Sequence, residues 1–341
     1  MFQNHTVQKV AIENSHLTFN VEPGDTILEG LLRAGIGAPY ECNAGGCGSC
    51  KYSLVTGEVI DDFDDCSGLK RSDKRKNRHL ACISRPTTDC TIGIKIDPLY
   101  QPKTTPKKVD GSLHSIRKLT HDLWEFRFRS SEQAKFLPGQ YAKVTIPGIK
   151  GPRSYSMSNT ANTDGEWSFQ VKKMPGGAAS EILFSQENPN LSVTIDAPYS
   201  IAHLQTDSER PVICVGGGSG LAPMVSILHG LGQRGLPETA PILYYGARSS
   251  IDVVDKKFFQ TIPHFSPDDQ YVPIVSEPNQ GCNWSGGTGL MHEFLRENLD
   301  DEACESEFYL AGPPLMVDAV RRHLVLDRGV PVEQLHYDRF Y

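Results

Sequence analysis

Glu41-Cys42-Asn43-Ala44-Gly45-Gly46-Cys47-Gly48-Ser49-Cys50 holds three cysteines spaced C-x4-C-x2-C, and a fourth follows in Leu80-Ala81-Cys82. This is the plant-type ligand spacing of a [2Fe–2S] cluster, so Cys42, Cys47, Cys50 and Cys82 are the candidate metal ligands. A two-iron cluster needs four converging thiolates and backbone N–H groups turned toward the sulfurs. Gly45, Gly46 and Gly48 suit such a loop, because glycine lacks Cβ and tolerates positive φ. Zinc is the rival, since Cys47-x-x-Cys50 is half of a zinc knuckle. Zinc ribbons pair two such units, and the second is absent here.

Around this loop the N-terminal region predicts a small α+β domain. Val7 to Ile12 and Leu17 to Val21 alternate as two strands, and Thr26-x-x-Glu29 is a capping box opening a helix that Gly35 ends. A short hairpin around Val55-Thr56-Gly57-Glu58 and a strand near Thr91 to Ile96 complete a β-grasp pattern over residues 1–97. The segment before Cys82 carries Asp61, Asp62, Asp64 and Asp65, then Lys70, Arg71, Lys74, Arg75, Lys76 and Arg78. It is either a solvated surface or a docking face.

A chain of 341 residues predicts two or three domains. A net charge of -7 argues against nucleic acid as the main partner. Of nine cysteines, those outside the candidate ligand set follow no disulfide framework, as in a reducing cytosol. No apolar run reaches the length of a membrane span, and Met1 to His5 carry no signal-peptide pattern. A cytoplasmic monomer is expected.

Residues 98–108, polar and proline-bearing, predict an extended, semi-rigid linker. Beyond it, over 109–207, the period is two: Trp124, Phe126 and Phe128 alternate with Glu125, Arg127 and Arg129. Ala142, Val144 and Ile146 alternate likewise, as do Trp167, Phe169 and Val171. Short strands between turn signals predict an antiparallel β-barrel. Within it Arg153-Ser154-Tyr155-Ser156 offers a cation, a flat ring and hydroxyls, a set suited to a flavin. Gly176-Gly177-x-x-Ser180 before a helix is a second anion site.

From residue 208 to 341 strands alternate with helices, which predicts a parallel α/β sheet. Val212 to Val215 runs into Gly216-Gly217-Gly218-Ser219-Gly220 and then a helix, an arrangement that favours a diphosphate. Leu221 stands where the strict dinucleotide fingerprint has its last glycine, so a plain tight turn stays open.

The ordered set Cys42-x4-Cys47-x2-Cys50…Cys82, Arg153-x-Tyr155-Ser156, Gly216 to Pro223 and Gly312-Pro313-Pro314 covers the whole chain. It resembles the ferredoxin-fused members of the ferredoxin–NAD(P) reductase superfamily, the reductase components of bacterial multicomponent hydrocarbon oxygenases. Pro39 to Asn43, Lys76 to Cys82 and His336 to Tyr341 look most like toluene and xylene monooxygenase reductases. The resemblance implies FAD held by Arg153, Ser154, Tyr155 and Ser156, with Gly177 and Ser180 at its diphosphate. It implies NADH in the cradle Gly216 to Gly220, and its adenosine half on the turn Gly246-Ala247-Arg248. Gly312 and Pro313 would lie beside the nicotinamide, and Phe340 or Tyr341 would cover the flavin. Many members carry cysteine where this chain has Ala311. Asp252 would repel a 2′-phosphate and accept ribose hydroxyls, or merely pair with Arg248 at the surface. The implied activity is NADH-dependent electron transfer through FAD and the cluster to an oxygenase hydroxylase or a Rieske ferredoxin, for an aromatic hydrocarbon or alkene. Alternatives are service to a ring-hydroxylating dioxygenase or a deoxysugar dehydrase, or a non-enzymatic iron–sulfur or zinc-binding module.

Overall fold

In the computed structural model, which describes residues 6–63, 65–185, 191–235, 239–278 and 284–341, the N-terminal alternating segments pair as expected. Gln8–Ile12 lies antiparallel to Thr18–Val21 and parallel to Cys90–Gly93. Lys51–Thr56 and Arg78–Leu80 extend this to a five-stranded mixed sheet. Helix Ile27–Arg33 covers it, opened by the Thr26–Glu29 capping box. The resulting fold is a β-grasp. One expected detail differs: residues 51–56 and 59–61 do not form a hairpin with each other. Lys51–Thr56 pairs with Arg78–Leu80 and Cys90–Gly93, while Val59–Asp61 pairs with Ser84–Pro86. Gly57, at φ +91°, lets the chain cross close over Cys90, where a Cβ would meet Sγ at 2.7 Å. The proline-bearing segment after Asp97 carries a 3-10 turn, Pro98–Tyr100, and packs on this domain. Asp97 N–H donates to Gly37 O (2.9 Å), and Arg33 Nη1 donates to Pro106 O (2.7 Å).

The chain divides into two compact units, one running to Lys107 and the other from Lys108 to Phe340. The second contains the barrel and the parallel sheet. Six barrel strands run in the order Arg153–Ser156, Tyr141–Thr145, Ser192–Tyr199, Lys107–Lys118, Leu123–Ser130, Glu166–Lys172. An antiparallel bridge between Met157 and Phe169 joins the two edges and closes the sheet. The expected alternation is only partly kept. Glu125 and Lys143, placed by period on the wet face, are buried. Glu125 is satisfied inside by Arg127 (2.7 Å) and Ser158 (3.1 Å).

The parallel sheet has the order Gly287–Thr288, Tyr271–Val275, Ile242–Ala247, Val212–Gly217, Glu307–Gly312, Leu335–Arg339. Its first strand in sequence, Val212–Gly217, therefore sits beside Glu307–Gly312, and the order reverses between them. In such sheets ligands bind outside the carboxyl ends of the strands at this switch point. Helix Leu221–Arg234 leaves the first strand and packs on the barrel: Gly139 N–H donates to Ser226 Oγ (3.3 Å), which donates to Asn159 O (2.6 Å). Among the described residues no helix is long and apolar enough to cross a membrane.

Gly30 gives a test of the β-grasp packing. Alanine in a helix ordinarily gains up to about 1 kcal/mol over glycine. Here its Cβ would lie 2.7 Å from Val21 Cγ2 and 3.0 Å from Asn20 O. Gly30→Ala is therefore expected to destabilise the domain by about 1–3 kcal/mol, read as a lowered thermal midpoint. An unchanged or raised midpoint would contradict this packing.

Candidate functional site

The cysteine loop is a left-handed, N–H-lined turn. Asn43, Gly45 and Gly48 have φ of 50°, 78° and 78°. Gly46 N–H and Cys47 N–H both donate to Cys42 Sγ at 3.3 Å, and Ser49 N–H donates to Cys47 Sγ at 3.5 Å. Successive N–H groups turned one way make a concavity for anionic sulfur. The hydrogen bond shared by Cys42 and Cys47 pushes the first thiol up and pulls the second down. Ala81 N–H donates to Cys50 O (2.9 Å), which brings buried Cys82 to the buried Cys50. The donor set and its N–H lining fit an iron–sulfur cluster.

Two neighbours of this loop had no signal in the sequence. Gly68 N–H donates to Gly45 O (3.0 Å), and a Cβ on Gly68 would lie 2.8 Å from Gly48 N. Cys66, outside the ligand spacing, also lies against the loop, 3.4 Å from where Gly45 would carry a Cβ.

On the barrel, Arg153 and Tyr155 share one face of their strand, and Ser154 and Ser156 share the other. Tyr155 is half-buried beside Phe169, and burial pushes its hydroxyl up to about 12. Arg153 is exposed; its Nη1 donates to the carbonyls of Lys150, Gly151 and Pro152. Ser156 Oγ is buried without a hydrogen-bond partner among the described residues. A buried hydroxyl left unbonded costs free energy that a polar ligand atom would recover, which fits a flavin ring. Gly177 caps helix Ala178–Phe184. The Ser180 hydroxyl is used within the preceding turn, accepting from Met174 N–H (3.2 Å) and donating to Gly177 O (2.8 Å). It shapes that turn more directly than it faces an anion.

At the sheet's switch point the glycine run divides its labour. Gly216 and Gly217 end the strand, and Gly218 to Gly220 form a single 3-10 turn into the helix. Gly218 has φ +56° and a half-buried position at the mouth, as has Ser219. Gly220 faces the neighbouring strand instead, and Gly217 the helix Pro314–Arg322 that follows it. A Cβ on Gly217 would lie 2.6 Å from Met316 Sδ, and one on Gly220 would enter the carbonyl of Ala311. A Cβ on Gly312, at φ +138°, would lie 2.8 Å from Gly217 O. The turn Gly218–Gly220, which opens helix Leu221–Arg234, and Gly312-Pro313 thus stand side by side at the carboxyl ends of the strands, and a helix start there favours an anion.

On the next strand's turn, Arg248 is exposed and Asp252 half-buried. Asp252 does not pair with Arg248. One oxygen accepts from Ser249 N–H (3.0 Å) and Oγ (2.9 Å); the other faces Lys172 Nζ at 3.4 Å. Burial pushes this carboxyl up, but the Ser249 bonds and Lys172 outweigh it and hold it below its usual range. Lys172, unremarked in the sequence, also pairs with Asp122 (2.6 Å), and Gly218 lies beside its stem. His121, Asp122 and Asp252 converge within metal-ligand range, but the Lys172 ammonium already pairs with both carboxylates.

The C-terminal strand completes the crevice. Phe340 N–H donates to Gly312 O (2.9 Å), its ring half-buried on the core, while Tyr341 is 58% exposed. Buried Asp338 stands opposite Ala311 in register. It accepts from the buried Ser200 hydroxyl at 3.0 and 2.9 Å. Ser200 holds φ +92°, a region costly to a side-chain-bearing residue.

Three family models match successive parts of the chain: a 2Fe-2S iron-sulfur cluster binding domain over 10–87, an oxidoreductase FAD-binding domain over 110–203 and an oxidoreductase NAD-binding domain over 214–322. The chain is 36% identical to a ferredoxin–NAD(P)(+) reductase of Metapseudomonas resinovorans, over 93% of this chain and 95% of that protein. It is 33% identical to the xylene/toluene monooxygenase electron transfer component of Pseudomonas putida, over 97% and 93%. The solved ferredoxin reductase in carbazole 1,9a-dioxygenase superposes with a TM-score of 0.90 at 32% identity, over 98% of this chain and 99% of that one.

The Ser200–Asp338 contact yields a two-variant test. Both Ser200→Ala and Ser200→Gly remove the hydroxyl, but only glycine accepts φ +92° without strain. The glycine variant is expected to be the more stable of the two by about 1 kcal/mol, measured by thermal or urea unfolding. An alanine variant as stable as the glycine one would show that the backbone there is not held at positive φ.

Proposed function

This chain belongs to the iron–sulfur flavoprotein reductases that serve multicomponent oxygenases, and on that premise we propose how its residues divide the work. It is an oxidoreductase that uses NADH, FAD and a [2Fe–2S] cluster for electron transfer. When bound, FAD takes an electron pair from NADH and releases electrons singly, and the cluster passes them on one at a time. Cys42, Cys47, Cys50 and Cys82 hold the cluster. The observation that carries this assignment is the N–H lining of their loop, with three bonds onto Cys42 and Cys47 sulfur.

Tyr155 supplies a flat face to the flavin, Ser156 Oγ a bond to its ring, and Ser154 lines the same strand. Arg153 turns its free guanidinium edge to the FAD diphosphate. Gly177 and Ser180 shape the turn at the other end of that diphosphate. Gly218 to Gly220 offer N–H groups to the NADH diphosphate, while Gly216 lets the turn fold back on the strand and Gly217 leaves room for Met316. Gly312 and Pro313 border the nicotinamide, and Phe340, anchored on Gly312, excludes water from the flavin more directly than Tyr341. Arg248 reaches the adenosine half.

The acceptor is a Rieske-type ferredoxin or an oxygenase hydroxylase, and the reductase acts as a cytoplasmic monomer. An aromatic hydrocarbon or alkene monooxygenase fits the similarity to the xylene/toluene component. Service to a ring-hydroxylating dioxygenase is the second reading, favoured by the superposition on the carbazole 1,9a-dioxygenase reductase.

Two variants separate the redox sites. Cys47→Ser is expected to lose the cluster yet keep FAD-dependent NADH:ferricyanide activity, while reduction of a one-electron protein acceptor fails. Arg153→Ala is expected to purify flavin-poor with its iron retained. Losing a charge-assisted bond to phosphate costs roughly 1.5–3 kcal/mol, about tenfold to over a hundredfold in affinity. Wild-type transfer to protein by the first variant, or full FAD occupancy in the second, contradicts the assignments.

Coenzyme choice follows from the 246–252 turn. Asp252 stands as an anion anchored by Ser249 and Lys172, and repels a 2′-phosphate. Its oxygens serve the turn before they serve a ribose. A preference for NADH of at least about tenfold in kcat/KM is expected, roughly 1.4 kcal/mol. Steady-state kinetics with both coenzymes measure it, and equal use of NADPH would overturn it.

A further inference from the structure

The charged segment before Cys82 sorts its two signs by direction. Its acids turn inward: Asp61 pairs with His79 (2.9 Å) and accepts from Ser84, and Asp62 forks onto Arg85 at 2.7 and 2.8 Å. Asp73, the one carboxylate between Lys70 and Arg78, is buried and takes Lys51 Nζ (2.9 Å), Arg78 Nη1 (3.3 Å) and Lys70 N–H (3.2 Å). The cations turn outward. Lys70, Arg71, Lys74, Arg75 and Lys76 are all exposed, on and around the short helix Arg71–Lys74. Among the described residues, Asp65 is the exposed acid of the preceding turn; Asp64 lies outside them.

This basic face is tied to the cysteine loop at both ends. Gly68 lies on Gly45 and Gly48, Ser67 Oγ donates to Gly46 O (3.2 Å), and Lys70 follows two residues later. At the other end strand Arg78–Leu80 leads directly to Cys82. The same loop leaves Ile60 52% and Phe63 49% exposed. An exposed cluster of cations, with exposed apolar side chains on the same segment, suits a protein-docking surface. In a chain of net charge -7, the sign of this cluster is opposite to that of the whole.

We propose that this face docks an electron-accepting protein whose own docking surface is acidic. The proposal rests on the electron-transfer function above and names the chemistry of its partner. Exposed charges act mainly on encounter, so the expected signature is in rate and salt dependence.

The holoenzyme with NADH is tested on two haem proteins of opposite charge, acidic cytochrome b5 and basic cytochrome c, with uncharged menadione as a small-molecule control. Cytochrome b5 should be reduced faster at low ionic strength and lose about tenfold in rate between low and high salt. In Arg71→Glu/Arg75→Glu/Lys76→Glu that rate should fall about tenfold at low salt, cytochrome c should gain, and menadione should be unchanged. If the wild type reduces both haem proteins but cytochrome b5 shows no salt dependence, or the variant reduces it at the wild-type rate, the docking proposal is overturned and electron transfer stands. If menadione is reduced and neither haem protein is, transfer to protein acceptors falls and the docking proposal with it. The wild-type salt series decides the matter even where the triple variant fails to fold.

Discussion

The contact on which the nucleotide-binding half depends is backbone against backbone: the glycine turn at 216–220 pressed on the end of strand Glu307–Gly312. No Cβ fits at Gly217, Gly220 or Gly312 without meeting the opposing strand or Met316. Their bareness brings two strand ends together where the sheet order reverses, and so makes the crevice. The same contact positions the C-terminal strand, because Phe340 hangs from Gly312 and Asp338 stands opposite Ala311. Ser200 then fastens that strand to the barrel. The flavin-facing strand and the coenzyme crevice are thereby held in one frame.

Where chemistry dictates spacing, the chain was legible from its residues. Thiolates must reach two irons from one loop, so C-x4-C-x2-C carries its meaning without any fold. The capping box at Thr26 and the strand–glycine–helix unit at 212–234 are equally local, and both stand as expected. Period-two alternation identified the barrel but misplaced Glu125 and Lys143. Alternation assumes one dry and one wet face, whereas a closed barrel packed on a second sheet buries parts of both.

What the sequence hid is contact between distant residues. Ser200 and Asp338 are 138 positions apart, and neither has a motif. Lys172 meets Asp122 across neighbouring barrel strands, but gains Asp252 only when the barrel meets the sheet. Gly68 looks like a loop glycine until it lies on the cysteine turn. The charged run before Cys82 illustrates the same limit: its composition is plain, but only the fold assigns Asp61, Asp62 and Asp73 to internal bonds and the cations from Lys70 to Lys76 to the surface.

The central claim is that one chain carries both an electron-pair acceptor and a single-electron carrier fed by NADH. Anaerobic titration of the purified protein with NADH, followed by absorbance and by electron paramagnetic resonance, tests it most directly. Uptake of about three electrons per chain is predicted, two at the flavin and one at the cluster, with the cluster signal appearing only while FAD is bound. A cluster reduced by NADH in flavin-depleted protein, or uptake that stops at two electrons with no cluster signal, would contradict the account.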